Sequence, residues 1–351
     1  MNILGIETSC DETAAAVVAD GTNVLSNVVL SQAELHGPYG GVVPEIASRS
    51  HVEALPGVIE KAVEDAGTGW EGIDRVAVTR GPGLSSSLLV GIAAAKALAL
   101  AINRPLYAVN HVEAHIFSAF LNESLEDFKK ECPFKALVVS GGHTSLIKVE
   151  TGDRYTLLGR TIDDAAGEAF DKGACLLGLG YPGGPAIEKT GRGGNAGFVH
   201  FPRGKKRKGG MVTGGLDPDL CFSFSGLKTS LLYYLRDNDP SGDSDRLSSI
   251  AASYQEAIVD ALVDRCERVM SAGECLAVGG GVSLNSLLRE KLSRLADRKG
   301  FRLRTAAPRF CADNAAMIAG LAGAGDSRYC SDMAALDAHP NMPLSSGADD
   351  S

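Results

Sequence analysis

Short apolar runs separated by polar turns recur in the two halves of the chain. Residues 2–9 form an apolar run that stops in a hydroxyl-rich turn, and a second β-prone run follows at 13–18. The same succession occurs at 136–144, where the turn is rich in glycine, and at 145–149. Runs of this length bounded by turn residues are typical of paired strands. Each half is therefore predicted to open with a β-hairpin.

A strand followed by a glycine loop and a long helix also occurs twice. Residues 75–83 precede an apolar helix predicted at 85–101, and residues 275–281 precede a helix predicted at 284–298. Continuous apolar strands are typical of sheets covered on both faces. Because the order of elements is the same in both halves, we predict a duplicated α/β fold with two lobes that face one central cleft.

The length of 351 residues suits about two domains. We place the first lobe at 1–125 and the second at 126–330, with helices and loops inserted in the second at about 151–272. The insertion contains a loop rich in glycine and lysine at 191–215 and a polar stretch at 237–245, which we expect at the surface. Residues 331–351 lack periodicity and are predicted to form a disordered tail.

Composition and charge narrow the class of protein. Hydrophobic residues make up 44% of the chain and charged residues 22%, which is typical of a globular protein in water. The net charge of −9 opposes non-specific binding to nucleic acid, so any such contact must be local. The eight cysteines are scattered, which is typical of reduced thiols. No basic segment followed by an apolar run opens the chain, which argues against a signal peptide. The apolar stretch at 88–102 is too short to span a membrane. We therefore expect a cytoplasmic protein with reduced thiols.

Two histidines four residues apart are candidate metal ligands. In a helix, His111 and His115 would share one face and could bind the same ion, although two partly exposed helical histidines would give the same spacing. The zinc-protease motif requires Glu directly after the first His, and Val112 stands there. Asp313, in a polar turn before an apolar run, is the candidate third ligand. Two histidines and one carboxylate would leave positions open for substrate on iron or zinc.

Two glycine turns are candidate sites for a nucleotide. Residues 140–144 follow a buried strand, and their N–H groups and hydroxyls can bind phosphate oxygens. Residues 279–285 open a helix in the same way, with Asn285 able to bind a ribose or a base. The P-loop and the dinucleotide fingerprint are both absent. A nucleotide held between these two turns is the functional interpretation, and ordinary structural turns are the alternative.

Charged segments suggest further contacts. Residues 163–172 are dense in carboxylates, and Asp171 could bind ribose hydroxyls in a pocket lined by Gly183, Gly184 and Glu188. An acidic helix N-terminus would explain the same segment. The basic run at 203–208 is the candidate contact for RNA phosphates on this acidic chain, and a solvated surface loop is the alternative.

Taken together, these segments resemble the TsaD family, and the resemblance extends from Ile3 to about Ala324. The motifs that carry it are collinear and lie at 5–13, 39–45, 47–49, 111–115, 140–144, 163–172, 181–185, 223–229 and 311–314.

The resemblance implies a tRNA N6-adenosine threonylcarbamoyltransferase on the actin-like (ASKHA, ribonuclease-H-like) fold. Such an enzyme transfers threonylcarbamoyl from threonylcarbamoyl-AMP to N6 of adenosine 37 in tRNAs that read codons beginning with A. The family pattern implies that His111, His115 and Asp313 hold one divalent metal, Fe²⁺ first and Zn²⁺ second. It also implies an adenylate site, whose residues are Val138, Val139, Ser140, Gly141, Gly142, Asp171, Gly184, Glu188 and Asn285.

The same resemblance implies a TsaB-like paralogue and a TsaE-like ATPase as partners, with no membrane contact. Asp11 and Glu12, in the first hairpin turn, are candidates for the base that takes a proton from the adenosine amine. Three other functions stay open at this point: an actin-like ATPase or kinase, a zinc peptidase, and a scaffold subunit without activity.

Overall fold

Two five-stranded sheets form the framework of the computed structural model, which describes residues 1–204, 215–325 and 328–345. The first sheet has the order β3-β2-β1-β4-β5 and the second has the order β10-β9-β6-β7-β8. Counted from its own first strand, each sheet has the same order, so the predicted duplicated α/β fold is confirmed. The strands are β1 (Asn2–Glu7), β2 (Glu12–Ala19), β3 (Asn23–Ser31), β4 (Arg75–Gly81), β5 (Leu106–Asn110), β6 (Phe134–Val139), β7 (Thr144–Thr151), β8 (Arg154–Arg160), β9 (Cys275–Gly279) and β10 (Arg302–Thr305).

Helices follow the strands in both halves, and the helix predicted at 85–101 has those bounds in the structure. None of the helices in the described ranges is both long and apolar enough to cross a membrane. The α-helices are α1 (Ala33–His36), α2 (Pro44–Ala66), α3 (Ser85–Ala101), α4 (His111–Phe117), α5 (Leu125–Glu131), α6 (Ala166–Leu176), α7 (Gly183–Thr190), α8 (Ser225–Asp237), α9 (Ser244–Val269), α10 (Ser286–Lys299) and α11 (Ala315–Gly323).

Strand direction determines which residues meet at the sheet edges. β1 is antiparallel to β2 and parallel to β4, with Leu4 opposite Val17 and Val76. β4 is in turn parallel to β5. Because carboxyl ends of parallel strands meet at one edge, the residues that follow β1, β4 and β5 come together there. In the second sheet β6 is parallel to β9, with Val138 opposite Gly279, so the two predicted glycine turns lie at one edge.

Helix α11 is buried along almost its whole length and packs on the first sheet. Its apolar residues are excluded from water, and Gly5 of β1 lies against its first turn. A Cβ at Gly5 would come within 2.4 Å of the Ala315 carbonyl oxygen, so only glycine permits this close approach. The packing of α11 on β1 fixes the position of Asp313, which lies just before the helix.

The observed division of the chain differs from the predicted one. One unit contains Met1–Pro133, Val149–Thr156 and Ala306–Ser351, and the other contains Phe134–Lys148 and Leu157–Thr305. The predicted boundary at 125/126 is therefore shifted to 133/134. The stretch from 306 belongs with the first unit because α11 packs on its sheet.

The prediction of a disordered tail from 331 is wrong for residues 331–345. Leu336 is buried in the apolar core of the first unit, and backbone groups of the segment pair with β4 and the loop after it. The N–H of His339 donates to the Arg80 carbonyl at 2.9 Å, and the Pro340 carbonyl accepts from the Gly83 N–H at 3.1 Å. Backbone pairing of this kind leaves no periodicity in the sequence, which is why the pattern of apolar residues missed it.

Candidate metal centre and glycine loops

The two candidate histidines lie on one face of α4. Strand β5 ends at Asn110, whose side-chain oxygen accepts from the N–H groups of Val112 and Glu113 at 2.9 and 3.3 Å. This N-cap starts the helix at His111 and places His115 one turn further on. Both imidazoles are buried, and their ring centroids are 4.6 Å apart. The predicted helical pair is thus present, and it is not on the surface.

Asp313 is distant in sequence from the two histidines but lies close to both in the structure. Its Oδ1 lies 3.1 Å from His115 Nε2 and 3.6 Å from His111 Nε2. Ligands bound to one tetrahedral ion at about 2.1 Å lie about 3.4 Å apart, and adjacent ligands of an octahedral ion about 3.0 Å apart. These separations therefore suit the two-histidine, one-carboxylate set for iron or zinc. Within the described ranges, this trio has ligand atoms that all lie within 4.8 Å of one another.

A buried carboxylate behind His111 orients its ring. Glu7 Oε2, at the end of β1, lies 2.9 Å from His111 Nδ1. The same carboxylate accepts from Thr79 Oγ1 at 2.6 Å and from the Ser9 N–H at 2.5 Å. With Nδ1 donating its proton to Glu7, Nε2 is the ring nitrogen of His111 that faces Asp313. Carboxylate–histidine pairs of this kind support metal ligands in other proteins, so the arrangement fits a bound cation.

Charge around the trio changes the basicity of both rings in opposite directions. Burial alone would lower the pKa of His111, but the Asp313 and Glu7 carboxylates outweigh burial and raise the pKa to about 9. Burial and the neighbouring His111 lower the pKa of His115. Without a metal, a proton on His111 balances the two carboxylates. A divalent cation would supply that positive charge instead.

Of the two candidate bases, Asp11 ends the turn after β1 and Glu12 is the first residue of β2. The backbone carbonyl of Asp11 accepts from the Gln32 N–H at 3.0 Å, which fixes the turn. Burial raises the pKa of the Glu12 carboxyl well above its usual range, and the charges of Asp313 and Asp11 raise it further. Both residues thus lie in the acidic surroundings of the trio, and their role in proton transfer stays a prediction.

In the second unit, the loop after β6 exposes its glycines. The Ser140 N–H donates to the His143 carbonyl at 2.8 Å and Ser140 Oγ accepts from the His143 N–H at 3.1 Å, which closes the turn. Gly141 and Gly142 are exposed, and a Cβ at either would meet nothing within 4 Å. Gly167, at the start of α6, packs so closely on Ser140 that a Cβ would come within 2.6 Å of its carbonyl oxygen.

The second glycine loop packs against the end of β6, the strand that leads into the first loop. Gly280 has a φ of +92°, and a Cβ there would lie 2.3 Å from the Val139 carbonyl oxygen. Side chains at this position are therefore excluded both by the backbone conformation and by space. The structure thus brings together the two glycine turns that the sequence predicted to lie near a nucleotide.

The other residues assigned to the adenylate also lie in the second unit. Asp171 Oδ1 accepts from the Gly183 N–H at 2.7 Å, beside Gly184, where a Cβ would meet open space. Glu188 accepts from the Ser286 hydroxyl at 2.5 Å. Asn285 caps α10 by accepting from the Leu288 N–H, and its Nδ2 donates to Glu188 and Gln255. In this structure both Nδ2 hydrogens of Asn285 have protein acceptors.

The acidic segment and the basic run have structural partners of their own. Asp163 accepts from the N–H groups of Phe224 and Ser225 and so caps α8, which was not foreseen. In the basic run, Arg203 Nε donates to Asp260 Oδ2 at 2.6 Å. Residues 205–208 of that run lie outside the described residues, and RNA contact there stays a prediction.

Glu7, the buried partner of His111, was not predicted from the sequence. A carboxylate at the end of a continuous apolar strand is the signal that could have identified it, because a buried charge needs a partner. Thr79 and Ser9, which also contact this centre, leave no comparable signal because isolated hydroxyl residues are common at strand ends.

The comparisons with known proteins agree on one family. The family model described as "tRNA N6-adenosine threonylcarbamoyltransferase" (TsaD) matches residues 23–320. A protein of that name from Geotalea uraniireducens (strain Rf4) is 50% identical over 321 residues, which are 91% of this chain and 90% of its own. Another from Syntrophobacter fumaroxidans is 50% identical over 349 residues, which are 96% of this chain and 98% of its own.

A solved structure shows the same fold. Component A of (R)-2-hydroxyglutaryl-CoA dehydratase from Acidaminococcus fermentans aligns with a TM-score of 0.51 over 92% of this chain and 99% of that chain, at 16% identity. At this level of identity the likeness concerns the fold alone.

Proposed function

The chain belongs to the TsaD family of tRNA N6-adenosine threonylcarbamoyltransferases, and on that premise we propose its substrates and its site. The chain is a transferase that acts in tRNA modification. We propose that it moves the threonylcarbamoyl group from threonylcarbamoyl-AMP to N6 of adenosine 37, in tRNAs reading codons that begin with A, and releases AMP.

The observation that carries this proposal is the convergence of His111, His115 and Asp313, with Glu7 behind the first histidine. We assign the three as ligands of one divalent ion, Fe²⁺ first and Zn²⁺ second. When bound, such an ion acts as a Lewis acid on a carbonyl oxygen. The carboxylate of Glu7 keeps the His111 proton on Nδ1 and so leaves Nε2 available as a ligand.

The glycine loops of the second unit would hold the adenylate part of the donor. Gly141 and Gly142 are exposed and nothing occupies the space where a side chain would project, so a phosphate group can approach their backbone closely. Val138, Val139 and Ser140 lead into this loop. Asp171, Gly184, Glu188 and Asn285 complete the proposed set. Fixing the leaving group in this way supplies orientation, which is a large part of the rate enhancement in acyl transfer.

The transfer forms a bond between N6 and the carbamoyl carbon and breaks the bond from that carbon to the phosphate oxygen, so AMP leaves. The N6 proton must go to a base, and we propose Asp11 or Glu12 for this role because they lie where the turn after β1 meets β2. Replacing each by alanine at saturating donor should slow the transfer. An unchanged rate in both variants would remove the assignment.

The partner proteins and the location follow from the family, and the tRNA contact follows from the charge of the basic run. We propose a TsaB-like paralogue and a TsaE-like ATPase as partners, tRNA contact at 203–208, and action in the cytoplasm.

The test is direct. Purified protein is incubated with unmodified tRNA and threonylcarbamoyl-AMP, with and without the two partners, and the nucleosides are analysed by mass spectrometry. We expect threonylcarbamoyladenosine and AMP in equal amounts, and loss of both after chelation and with Asp313→Asn. A tRNA carrying another base at position 37 is the matched control. Absence of the modified nucleoside under all partner conditions would contradict the proposal.

A further inference from the structure

Glu113 lies between the two metal-site histidines in sequence, but its side chain has different partners. Two residues after His111, it lies about 200° further round the helix and so on the opposite face of α4. The side chain is fully buried. Its Oε2 accepts from Arg328 Nη2 at 3.0 Å, and its Oε1 accepts from the Ser345 N–H at 2.7 Å. Both partners come from the C-terminal part of the chain.

Residues 328–345, here called the C-terminal strap, make further contacts with the strand that leads into α4. Asn110, which caps α4 with its side-chain oxygen, donates from Nδ2 to the Pro343 carbonyl at 2.8 Å. The Arg328 carbonyl accepts from the Ala108 N–H in β5 at 2.9 Å. The buried guanidinium of Arg328 also donates to Tyr155 Oη at 3.3 Å. The strap therefore contacts the end of β5, the residue that caps α4, and the face of α4 that carries Glu113.

The length of α4 makes these contacts important for its orientation. A helix of seven residues is far shorter than the roughly 12–15 residues at which an isolated helix becomes even marginally stable, so tertiary contacts must hold it. One face of α4 carries His111 and His115, and the opposite face carries Glu113. A rotation of the helix that loosened the Glu113 contacts would also move the imidazoles away from Asp313.

We propose that Glu113 is a positioning residue for the metal centre, acting through Arg328 and the strap, and that strap docking and cation binding are coupled. The inference rests on the proposed metal site. Because coupling between two binding events is reciprocal, the cation must also tighten the strap. Glu113 thus has neither the role of a metal ligand nor that of a general base.

The first experiment measures cation affinity in the full-length protein, freed of metal and titrated with Co²⁺, whose visible absorption reports its ligands. Arg328→Met and Glu113→Gln should weaken Co²⁺ binding about 10-fold, the lower end of what supporting partners of metal ligands contribute. Arg328→Lys should restore part of the loss because it restores the charge. Lys135→Met is the matched control, since it breaks the ion pair with Glu274 in the other unit and should leave affinity unchanged.

The second experiment needs no strap variant and so stands even if those variants fail to fold. Amide hydrogen exchange at Cys330, His339 and Ser345 is measured in the wild-type protein with and without Co²⁺, and in Asp313→Asn. We expect slower exchange on addition of Co²⁺ in the wild type only. Wild-type Co²⁺ affinity in a folded Arg328→Met, or exchange that Co²⁺ does not change, would overturn the coupling. Failure of the wild type to bind Co²⁺ would overturn the metal site as well, which distinguishes the two failures.

Discussion

The turn after β1 and the turn after β6 occupy the same position in two sheets of the same strand order, and their chemistry is opposite. The first turn follows a buried carboxylate, Glu7, and continues into Asp11 and Glu12. The second consists of Ser140, two exposed glycines and His143. A glycine packs closely at each place: Gly83 lies against Ser9 of the first turn, and Gly280 lies against Val139, the last residue of β6.

The fold determines where the two turns lie, and their residues determine the chemistry. Strand order and the glycine after the fourth strand position both turns in the same way. The first turn is rich in carboxylates and lies near Asp313 of the trio that we assign to a cation, whereas the second carries two exposed glycines and no carboxylate, which suits an anion. The predictions below test this division.

The largest effect is expected when the proposed metal centre is disrupted. Asp313→Asn keeps the size of the side chain and removes its charge, so cation affinity should fall more than about 100-fold, beyond the loss caused by supporting residues. Transfer to tRNA should fall with it. AMP affinity, measured by calorimetry, should stay within about twofold if the glycine loops alone hold the nucleotide. A parallel loss of AMP affinity would contradict the division of roles.

The next effect concerns the packing of the second turn. Gly280→Ala places a Cβ 2.3 Å from the Val139 carbonyl oxygen at a φ of +92°, so we expect a loss of about 2–4 kcal/mol in the free energy of unfolding. Chemical denaturation measures it. Gly281→Ala is the control, because a Cβ there meets nothing within 4 Å. Equal stability of the two variants would show that the loop can shift at little cost.

Much of the fold and part of the candidate metal site could be predicted from the sequence. Continuous apolar runs identified β1, β2, β4, β6, β7 and β9, and their repeated order indicated the duplication. The spacing of His111 and His115 predicted a shared helical face, which the structure confirms. These features are local, since each depends on neighbours in sequence, and local patterns are what a single chain displays most clearly.

What the sequence could not show depends on distant contacts. Strand β10 is only four residues long and mixes charged with apolar positions, so its burial pattern is weak. Residues 331–345 of the strap do not form the predicted disordered tail, because their backbone pairs with β4 and the loop after it without any apolar period. Glu7 and Glu113 are buried carboxylates whose partners lie 104 and 215 residues away, so a local pattern can mark Glu7 as buried but cannot identify either partner.

A smaller effect should appear in the pH dependence of the metal-free protein. The pKa of His111 is raised from 6.5 to about 9, so the folded state binds its proton more tightly than the unfolded state does. The stability gained is complete below pH 6.5 and is lost as the pH rises to about 9. Denaturation with a chelator present should show this decline in the wild type and a flatter profile in His111→Asn. Parallel profiles would contradict the assigned charge state.

The smallest effect on stability is expected in the turn after β6. A variant that keeps its stability there tests anion binding most directly. A Cβ at Gly141 meets nothing within 4 Å, so Gly141→Ala should change the free energy of unfolding by less than about 0.5 kcal/mol. If the Gly141 N–H faces the donor phosphate, however, the added methyl group projects from the surface that the phosphate approaches. The KM for threonylcarbamoyl-AMP should then rise several-fold with kcat nearly constant. Gly226→Ala, on α8 and equally unhindered, should change neither quantity. An unchanged KM in Gly141→Ala would leave the first turn with a chemical role and the second with a structural one.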